Sequence, residues 1–535
     1  MMKKNKAAVL VFIWFMLSFL FGWYAVGAIK SLQVLLFSFP FVLILLFPFS
    51  SNVRKTLFCL SLVIFGLSDF YLGIQSYLRD AYEASLNSGF VLESVANTSF
   101  SESKEYLMAM ASQIVLWSAV AFFIFLAQTY LAISLVKEAP LRSKYFYWSA
   151  GLIICLSLFG WYQRAWRAHF PPVSLLTFYQ SCGEKKSYWK NIKAENNAAL
   201  DRAANHILSV EQGPRTIVLV VGESMNRENM SLYGYDRDTT PRLKEADKDS
   251  ELHVSKEAFS TQSSTVAAFN DMFEFPDSSS ISKSKLFAFF KAAGYKIYWI
   301  SNQDDVAIKA EFQDFSNTAV NLNRVAGRSS TSMDEKVLPE LEKALQTPSD
   351  KKLIVVHLIG IHPHFSFRYP SEMSSLWNDQ DATRARLEEK GRSIRTLEML
   401  EHYDRAMLYQ DAVLFDTLKL TQNFDKNHPD VKTSWIFLSD HSVETGQRKD
   451  RTGHSNNSLG GYTIPFLFWT PYSDLSEGEE VQEGSSFRSD WLSYMLLDLA
   501  GIHCNFPIFE KSWLSKQYKW KEPKVVTDLK QKIED

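Results

Sequence analysis

Five long apolar segments in the first third of the chain restrict its fold more than any other feature. Each is close to the roughly 20 residues that a helix needs to cross a bilayer. Lipid offers the backbone no hydrogen-bond partners, so such segments are expected to be helices. We predict five membrane-spanning helices at Ala7–Ile29, Leu32–Phe49, Leu57–Ile74, Met110–Val136 and Tyr145–Tyr162.

The basic residues between these segments predict which side of the membrane each connection faces, because lysine and arginine are enriched in cytoplasmic loops. The N-terminus and the second and fourth loops carry Lys3, Lys4, Lys6, Arg54, Lys55, Lys137, Arg142 and Lys144. We therefore expect the chain after the fifth helix to lie outside the cytoplasm, and in the periplasm if the cell has two membranes. The outer loop 75–106 would lie on that same side, as a short interfacial helix or a solvated loop.

The composition predicts three parts: a transmembrane domain at 1–169, a linker with membrane-surface helices at 170–212, and an α/β domain at 213–535. In the last part apolar strands alternate with helical patterns, which is typical of a mostly parallel central sheet. The chain has 57 basic and 59 acidic residues and a net charge of -2. This balance argues against a nucleic-acid binder. We expect a monomer in the membrane.

The apolar run Thr216–Val221 predicts a strand that is buried on both faces of such a sheet. Gly222 ends it and Glu223 follows, at the sheet edge where ligands of open α/β folds lie. Other polar residues also come after apolar strands: His357, His362, His364, Asp440, His441 and, a little later, His454. Carboxylates and imidazoles without nearby cysteines are typical of an open catalytic site for zinc or another divalent cation.

A hydroxyl-rich run, Ser260–Thr265, precedes the short helical pattern VAAFNDMF. Backbone N–H groups and the positive end of the helix dipole favour a phosphate at such a place. A metal-bound hydroxyl there would be able to attack phosphorus. The spacing alone leaves Ser263, Ser264 and Thr265 as alternative nucleophiles.

Several motifs resemble those of the bacterial phosphoethanolamine transferases, which are membrane members of the alkaline phosphatase/sulfatase superfamily. The resemblance lies in GESMNRENMSLYGYDRDTTPRL at Gly222–Leu243, and in the later stretches FSTQSSTVAAFNDMF, KKLIVVHLIGIHPHFSFRYP and FLSDHSVETG. It covers nearly all of the α/β part, and the five-helix pattern agrees with it. The similarity is closer to the branch that modifies the lipopolysaccharide core than to the lipid A branch.

The resemblance implies a zinc site and a set of functional residues. The implied zinc ligands are Glu223, Thr265, Asp440 and His441, and Thr265 is also the implied nucleophile. His362 and His454 match catalytic histidines that contact the substrate phosphate or a second zinc ion bound with substrate. The remaining implied substrate contacts are Asn302 and, for the donor headgroup, Thr98 and Glu102.

The implied reaction moves phosphoethanolamine from phosphatidylethanolamine to a lipopolysaccharide sugar, inner-core heptose rather than lipid A, through a phosphothreonine-type intermediate. The alternative is a glycerol-phosphate transferase that uses phosphatidylglycerol with a similar metal set. The donor loop distinguishes the two, because an ammonium headgroup favours a carboxylate such as Glu102 or an aromatic face.

Three departures from the family pattern concern the acceptor and the donor contacts. Thr261-Gln262 stands where the lipid A branch has Cys-Gly, and Ser94 stands where an asparagine is usual in the outer loop. One extra residue separates His441 from Glu444. The chain has four cysteines, too few for the disulfides of that branch, although Cys182 and Cys504 would be able to pair in an oxidising compartment.

Overall fold

The computed structural model describes residues 2–534 apart from 83, 99–102, 104–105, 109, 139–142, 249–251, 276–280, 282–283, 304–305, 323–332, 378–380 and 472–483. The chain divides into two compact units. The first comprises Met1–Ala96 and Tyr106–Lys186, and the second comprises Asn97–Glu105 and Ser187–Asp535.

The first unit is helical. Five of its helices are long and apolar enough to cross a membrane, at Lys6–Val26, Ala28–Leu46, Ser51–Tyr82, Ala111–Lys137 and Lys144–Tyr162. This finding confirms the five predicted apolar helices. The third helix is much longer than its predicted apolar run, because its polar ends continue the helix where hydropathy alone would stop it.

Further helices connect these apolar ones and lead into the second unit. They lie at Gly89–Asn97, Arg164–Arg167 and Pro171–Asn191. The outer loop thus contains a short helix, and its position at the membrane interface stays a prediction. Pro171 begins its helix, a position where a missing N–H costs nothing. All four cysteines are free thiols in this structure.

The second unit alternates strands and helices. Its helices are Lys193–His206, Pro241–Ala246, Thr265–Phe273, Leu286–Ala292, Val306–Glu311, Val337–Gln346, Ala382–Glu389, Ile394–Asn427, Leu492–Leu499 and Lys524–Glu534. Its strands are β1 (Ile207–Val210), β2 (Arg215–Gly222), β3 (Leu252–Val254), β4 (Ala258–Phe259), β5 (Lys296–Ser301), β6 (Thr318–Asn321), β7 (Lys351–His357), β8 (Lys432–Ser439), β9 (Glu444–Thr445), β10 (Thr452–Gly453), β11 (Thr463–Ile464), β12 (Phe466–Trp469), β13 (Phe487–Arg488) and β14 (Ile502–Cys504).

The main sheet has the strand order β3-β12-β8-β2-β7-β5-β6. Strands β8, β2, β7, β5 and β6 run parallel, whereas β12 pairs antiparallel with both β8 and β3. This arrangement confirms the predicted α/β class with a mostly parallel central sheet. The antiparallel edge was not predicted, because a short buried strand has the same apolar pattern in either direction.

Strand β2 is the centre of the sheet, and every residue of it is buried. Its side chains alternate between two hydrophobic cores: Ile217, Leu219 and Val221 belong to one, and Val218 and Val220 belong to the other. Helices cover both faces, which explains why β2 lacks polar alternation. The sheet therefore holds the carboxyl ends of β2, β7 and β8 side by side and in register.

Candidate active site

Three buried side chains meet where β2 and β8 end. Gly222 of β2 lies opposite Ser439 of β8, so that Glu223 and the pair Asp440–His441 leave neighbouring strands at the same level. One ligand atom from each of the three residues lies within 4.8 Å of the others. The Nε2 atom of His441 is 3.2 Å from Glu223 Oε1 and 3.5 Å from Asp440 Oδ2.

The electrostatics of this cluster suit a cation. Burial raises the pKa of Asp440 well above its usual range, and the neighbouring Glu223 carboxylate raises it further. Burial alone would also raise the pKa of Glu223, but the imidazolium of His441 holds it well below its usual range. Burial lowers the pKa of His441, yet Asp440 and then Glu223 raise it to about 9. Asp440 Oδ2 accepts no hydrogen bond from any residue that the structure describes.

This donor set fits zinc. Two carboxylates and one imidazole leave room for a fourth ligand, as in catalytic zinc sites. Bringing two carboxylates together in a buried site is costly unless a positive charge offsets their repulsion. The buried Oδ2 atom of Asp440, which accepts no described hydrogen bond, is the atom that a cation would satisfy.

Among the nucleophiles that the sequence left open, Thr265 is the one whose hydroxyl contacts the side chains of this cluster. It is the first residue of the helix Thr265–Phe273, after the N-cap Ser264. Its Oγ1 atom donates to Glu223 Oε2 at 3.0 Å and lies 3.4 Å from Nε2 of His441. The N-terminal position adds the positive end of the helix dipole. Of the three alternatives from the sequence, Thr265 is the one with these contacts.

His454 directly follows β10, which pairs with β9 in a short antiparallel ribbon. Its ring centroid is 4.8 Å from that of His441, and its Nδ1 atom is 3.2 Å from the backbone oxygen of Ser263. Burial and then the charge of His441 lower the pKa of His454 to about 3. The structure thus places this imidazole beside the zinc-ligand cluster and the hydroxyl-rich run.

His362 lies on the loop after β7, and this loop rests on the backbone of Glu223. Ile361 N donates to Glu223 O at 2.9 Å. Gly360 has a φ of +53°, and a Cβ atom there would come within 2.6 Å of the Glu223 backbone, so only glycine fits this close approach. His362 is near enough for its charge to lower the pKa of Glu223, after the effects of burial and His441.

The structure does not test the substrate contacts predicted for Asn302 and for the donor-loop residues Thr98 and Glu102. The side-chain amide of Asn302 donates to Asp334 Oδ1 at 2.9 Å, and Asp334 also accepts from the backbone of Ile359 and Gly360. Asn302 thus contributes to the network that holds the loop carrying His362. Thr98 is half-buried, whereas Glu102 lies outside the described residues. The substrate-contact roles of Asn302, Thr98 and Glu102 stay predictions.

Gln303, which we did not predict, contacts the cluster directly. Its Nε2 atom donates to Glu223 Oε2 at 3.3 Å and to Leu358 O at 2.8 Å. The signal was present, since Gln303 follows Asn302 in the same WISNQ stretch. The resemblance implied only Asn302 as a contact, whereas the contact of Gln303 with Glu223 comes from tertiary structure.

Ser224 and Tyr403 were also missed. Ser224 has a φ of 60°, an unusual conformation for a non-glycine residue. In this conformation its Oγ donates to Glu223 Oε1 at 2.7 Å while its N donates to Asp440 Oδ1 at 3.2 Å. The Tyr403 hydroxyl donates to Ser224 O at 2.8 Å. Ser224 therefore orients both carboxylates, and no sequence motif indicates this role.

Replacing Gln303 by alanine should weaken zinc binding. The change removes the donor that orients Glu223 Oε2, and the loss of such an outer partner typically costs about 10–100-fold in metal affinity. Competition titration against a chelating dye would measure the dissociation constant of the zinc complex. Gln313→Ala, which alters another buried glutamine of this unit, should leave it unchanged. Equal affinity in Gln303→Ala and the unaltered protein would contradict this role.

Comparison with known proteins agrees with this geometry. The sequence is 31% identical over 312 residues to phosphoethanolamine transferase EptC of Escherichia coli O18:K1:H7, an alignment that covers 56% of this chain and 52% of EptC. The chain therefore spans about half the length of the curated relatives that it matches. The zinc complex of the periplasmic domain of E. coli EptC is 28% identical with a TM-score of 0.54, covering 59% of this chain and 91% of that domain.

A second solved structure extends the similarity to the helical part. The integral membrane lipooligosaccharide phosphoethanolamine transferase A of Neisseria meningitidis covers 92% of this chain and 97% of its own, with a TM-score of 0.53 and 18% identity. At this identity the match concerns the fold alone. The sequence pattern of the sulfatase family matches residues 215–502. That stretch is more than half of the chain and contains Glu223, Thr265, Asp440 and His441, and the chain belongs to the sulfatase family.

Proposed function

We propose that this protein is a membrane-bound phosphoethanolamine transferase that uses phosphatidylethanolamine as donor and a lipopolysaccharide sugar as acceptor. The observation that carries the proposal is the position of Thr265 Oγ1, 3.0 Å from Glu223 Oε2 and 3.4 Å from His441 Nε2. A hydroxyl held against a zinc-type donor set is suited to attack a phosphoryl group. The relationship to EptC supports phosphoethanolamine as the group transferred.

The reaction proceeds in two displacements. Oγ1 of Thr265 forms a bond to the phosphorus of the donor, the bond from phosphorus to the glycerol oxygen breaks, and diacylglycerol leaves with a proton. The acceptor hydroxyl then bonds to the same phosphorus, the bond to Oγ1 breaks, and Thr265 regains a proton. Bound zinc would supply positive charge that favours the ionised hydroxyl and offsets charge on the phosphoryl oxygens.

The protein groups around Thr265 have separate tasks in these steps. Glu223, Asp440 and His441 hold the metal ion together with Thr265. His454 and His362 flank this set, so that their imidazoles contact the phosphoryl group and assist proton transfer to the leaving group and from the acceptor. A second zinc ion, bound with substrate, would use these two histidines.

The finer assignments belong to the same proposal. The acceptor is inner-core heptose rather than lipid A, and the closer similarity to the core-modifying branch supports this choice. The protein is a monomer of the inner membrane with domains at 1–169, 170–212 and 213–535, and the loop charges direct the last of these to the periplasm. Thr98, Glu102 and Asn302 contact the donor.

Mass spectrometry of lipopolysaccharide from cells with and without this gene tests the reaction. Mild acid hydrolysis separates lipid A from core, and we expect loss of one phosphoethanolamine from the core fraction. Loss from lipid A would change the acceptor but keep the chemistry. If neither fraction changes while the protein is expressed, the phosphatidylglycerol-dependent alternative takes its place, and release of labelled diacylglycerol from the two lipids would identify the donor.

A further inference from the structure

An apolar groove runs along the surface of the helical unit, between the helix at Lys6–Val26 and the helix at Ala111–Lys137. Its volume is about 490 Å³, and its walls include Phe12, Leu17, Leu20 and Ile124. From Phe12 to Tyr24 the groove follows twelve residues, about 18 Å at the helical rise of 1.5 Å per residue. That length is close to one leaflet, half of the roughly 30 Å hydrocarbon core.

One end of the groove has a polar cluster in place of apolar side chains. Tyr24 and Trp117 form its last walls and stack with ring centroids 4.9 Å apart. The Tyr24 hydroxyl donates to Asp80 Oδ1 at 2.8 Å, and the Trp117 indole donates to Asp80 Oδ2 at 3.1 Å. Two aromatic side chains therefore hold the Asp80 carboxylate in place at one end of the apolar groove.

A positive charge stands next to this carboxylate. The Arg79 guanidinium lies over the Tyr24 ring at 5.1 Å and donates to the Tyr24 backbone oxygen. Arg79 and Asp80 are both exposed, so their charged groups face solvent beside the groove. A guanidinium has five N–H donors and a carboxylate about four acceptor sites, so both groups have capacity for a ligand beyond the contacts described.

We propose that this groove binds a zwitterionic phospholipid with a primary ammonium headgroup, of the phosphatidylethanolamine type. One acyl chain lies along the groove, the ammonium is bound by Asp80 beside the Trp117 ring, and the phosphate is bound by Arg79. The opposite charges of the headgroup match the Arg79–Asp80 pair, and the face of Trp117 that does not stack on Tyr24 favours a cation. A primary ammonium has N–H groups that donate hydrogen bonds to Asp80, whereas a quaternary ammonium has none.

The site goes beyond the proposed function, since it is a binding site on the helical unit and does not depend on group transfer. It would hold a lipid with the headgroup of the donor class within the bilayer. The loop charges place the Tyr24 end of the first helix on the outer side, which assigns the groove to the outer leaflet. Binding and transfer are measured separately, so the failure of one leaves the other standing.

Native mass spectrometry of the purified full-length protein tests the site. Phosphatidylethanolamine, phosphatidylcholine or phosphatidylglycerol would be added at equal concentration to the delipidated protein in detergent. We expect phosphatidylethanolamine adducts to exceed the other two by about tenfold. The double variant Arg79→Gln/Asp80→Asn should remove this preference and bring the three lipids to a similar level.

A control variant removes one positive and one negative charge from the other end of the same unit. Lys6 Nζ lies 2.8 Å from Glu138 Oε1, and Lys6→Gln/Glu138→Gln should keep the headgroup preference. Leu20→Trp, which fills the groove and leaves Arg79 and Asp80 in place, should reduce adducts of all three lipids. Equal adducts of the three lipids on the unaltered protein, an unchanged preference in Arg79→Gln/Asp80→Asn, or undiminished adducts in Leu20→Trp would overturn the proposal.

Discussion

Replacing Thr265 by alanine should abolish phosphoethanolamine transfer, with a loss on the order of 10³-fold or more, as for other covalent nucleophiles. The variant lacks the oxygen that bonds to phosphorus, so the first displacement has no route through the enzyme. The side chain is small and lies at the start of the helix Thr265–Phe273, where alanine is tolerated. The expected readout is the rate of diacylglycerol release from labelled phosphatidylethanolamine by the reconstituted protein.

Two companion variants separate chemistry from folding. Thr265→Ser keeps the hydroxyl and should retain measurable transfer. Ser264→Ala changes the preceding N-cap, whose side chain makes no cap hydrogen bond, and should keep nearly full activity. The melting temperature of Thr265→Ala should stay within a few degrees of the unaltered protein. Transfer by a folded Thr265→Ala variant at the normal rate would remove Thr265 from its role.

Detection of the covalent intermediate would test Thr265 as the nucleophile independently of the transfer rate. Incubation with donor and no acceptor should leave phosphoethanolamine on the peptide that contains Thr265, detectable by mass spectrometry after digestion. The Thr265→Ala protein should show no such adduct on this peptide. An adduct on Ser263 or Ser264 in the unaltered protein would instead identify one of the alternatives that the sequence left open.

Much of this site was predictable because it lies at the ends of buried strands. The apolar runs of β2 and β8 are long enough to be recognised, so the sequence alone predicts Glu223, Asp440 and His441 at one sheet edge. The nucleophile, in contrast, was not predictable from strand ends. Spacing allowed Ser263 and Ser264 equally, and the contacts with Glu223 and His441 come from tertiary structure.

The parts that sequence reasoning missed depend on geometry that no local pattern encodes. Gln303 contacts Glu223 across 80 positions of sequence, and Ser224 orients two carboxylates through a backbone angle of 60°. The lipid groove combines Tyr24, Arg79–Asp80 and Trp117 from three helices. Each of these residues is ordinary in its own segment, and only the packing of the helices brings them together.

Replacing Asp440 by asparagine should remove most of the bound zinc. An amide is a weaker ligand than a carboxylate, and the change deletes one negative charge from a set whose atoms lie within 4.8 Å. The loss of affinity should exceed the roughly 10–100-fold expected for an outer partner such as Gln303. Elemental analysis of the purified protein should give about one zinc per chain before the change and little after it.

Asp528→Asn provides the matched control. Asp528 forms an exposed ion pair with Lys524 at 2.6 Å on the helix Lys524–Glu534, so the same chemical change there should leave the zinc content unchanged. Full zinc occupancy in Asp440→Asn would show that Asp440 is not a ligand. Loss of zinc in both variants would indicate damage to the fold and not to the site.

Thermal unfolding provides a second test of Asp440 as a zinc ligand. Because zinc binds the folded site, it should stabilise the protein by about 2.7 kcal/mol at a free concentration 100 times the dissociation constant. Removing it with a chelator should lower the melting temperature of the unaltered protein and leave that of Asp440→Asn almost unchanged. A chelator that lowers the two melting temperatures equally would contradict this account of the cluster.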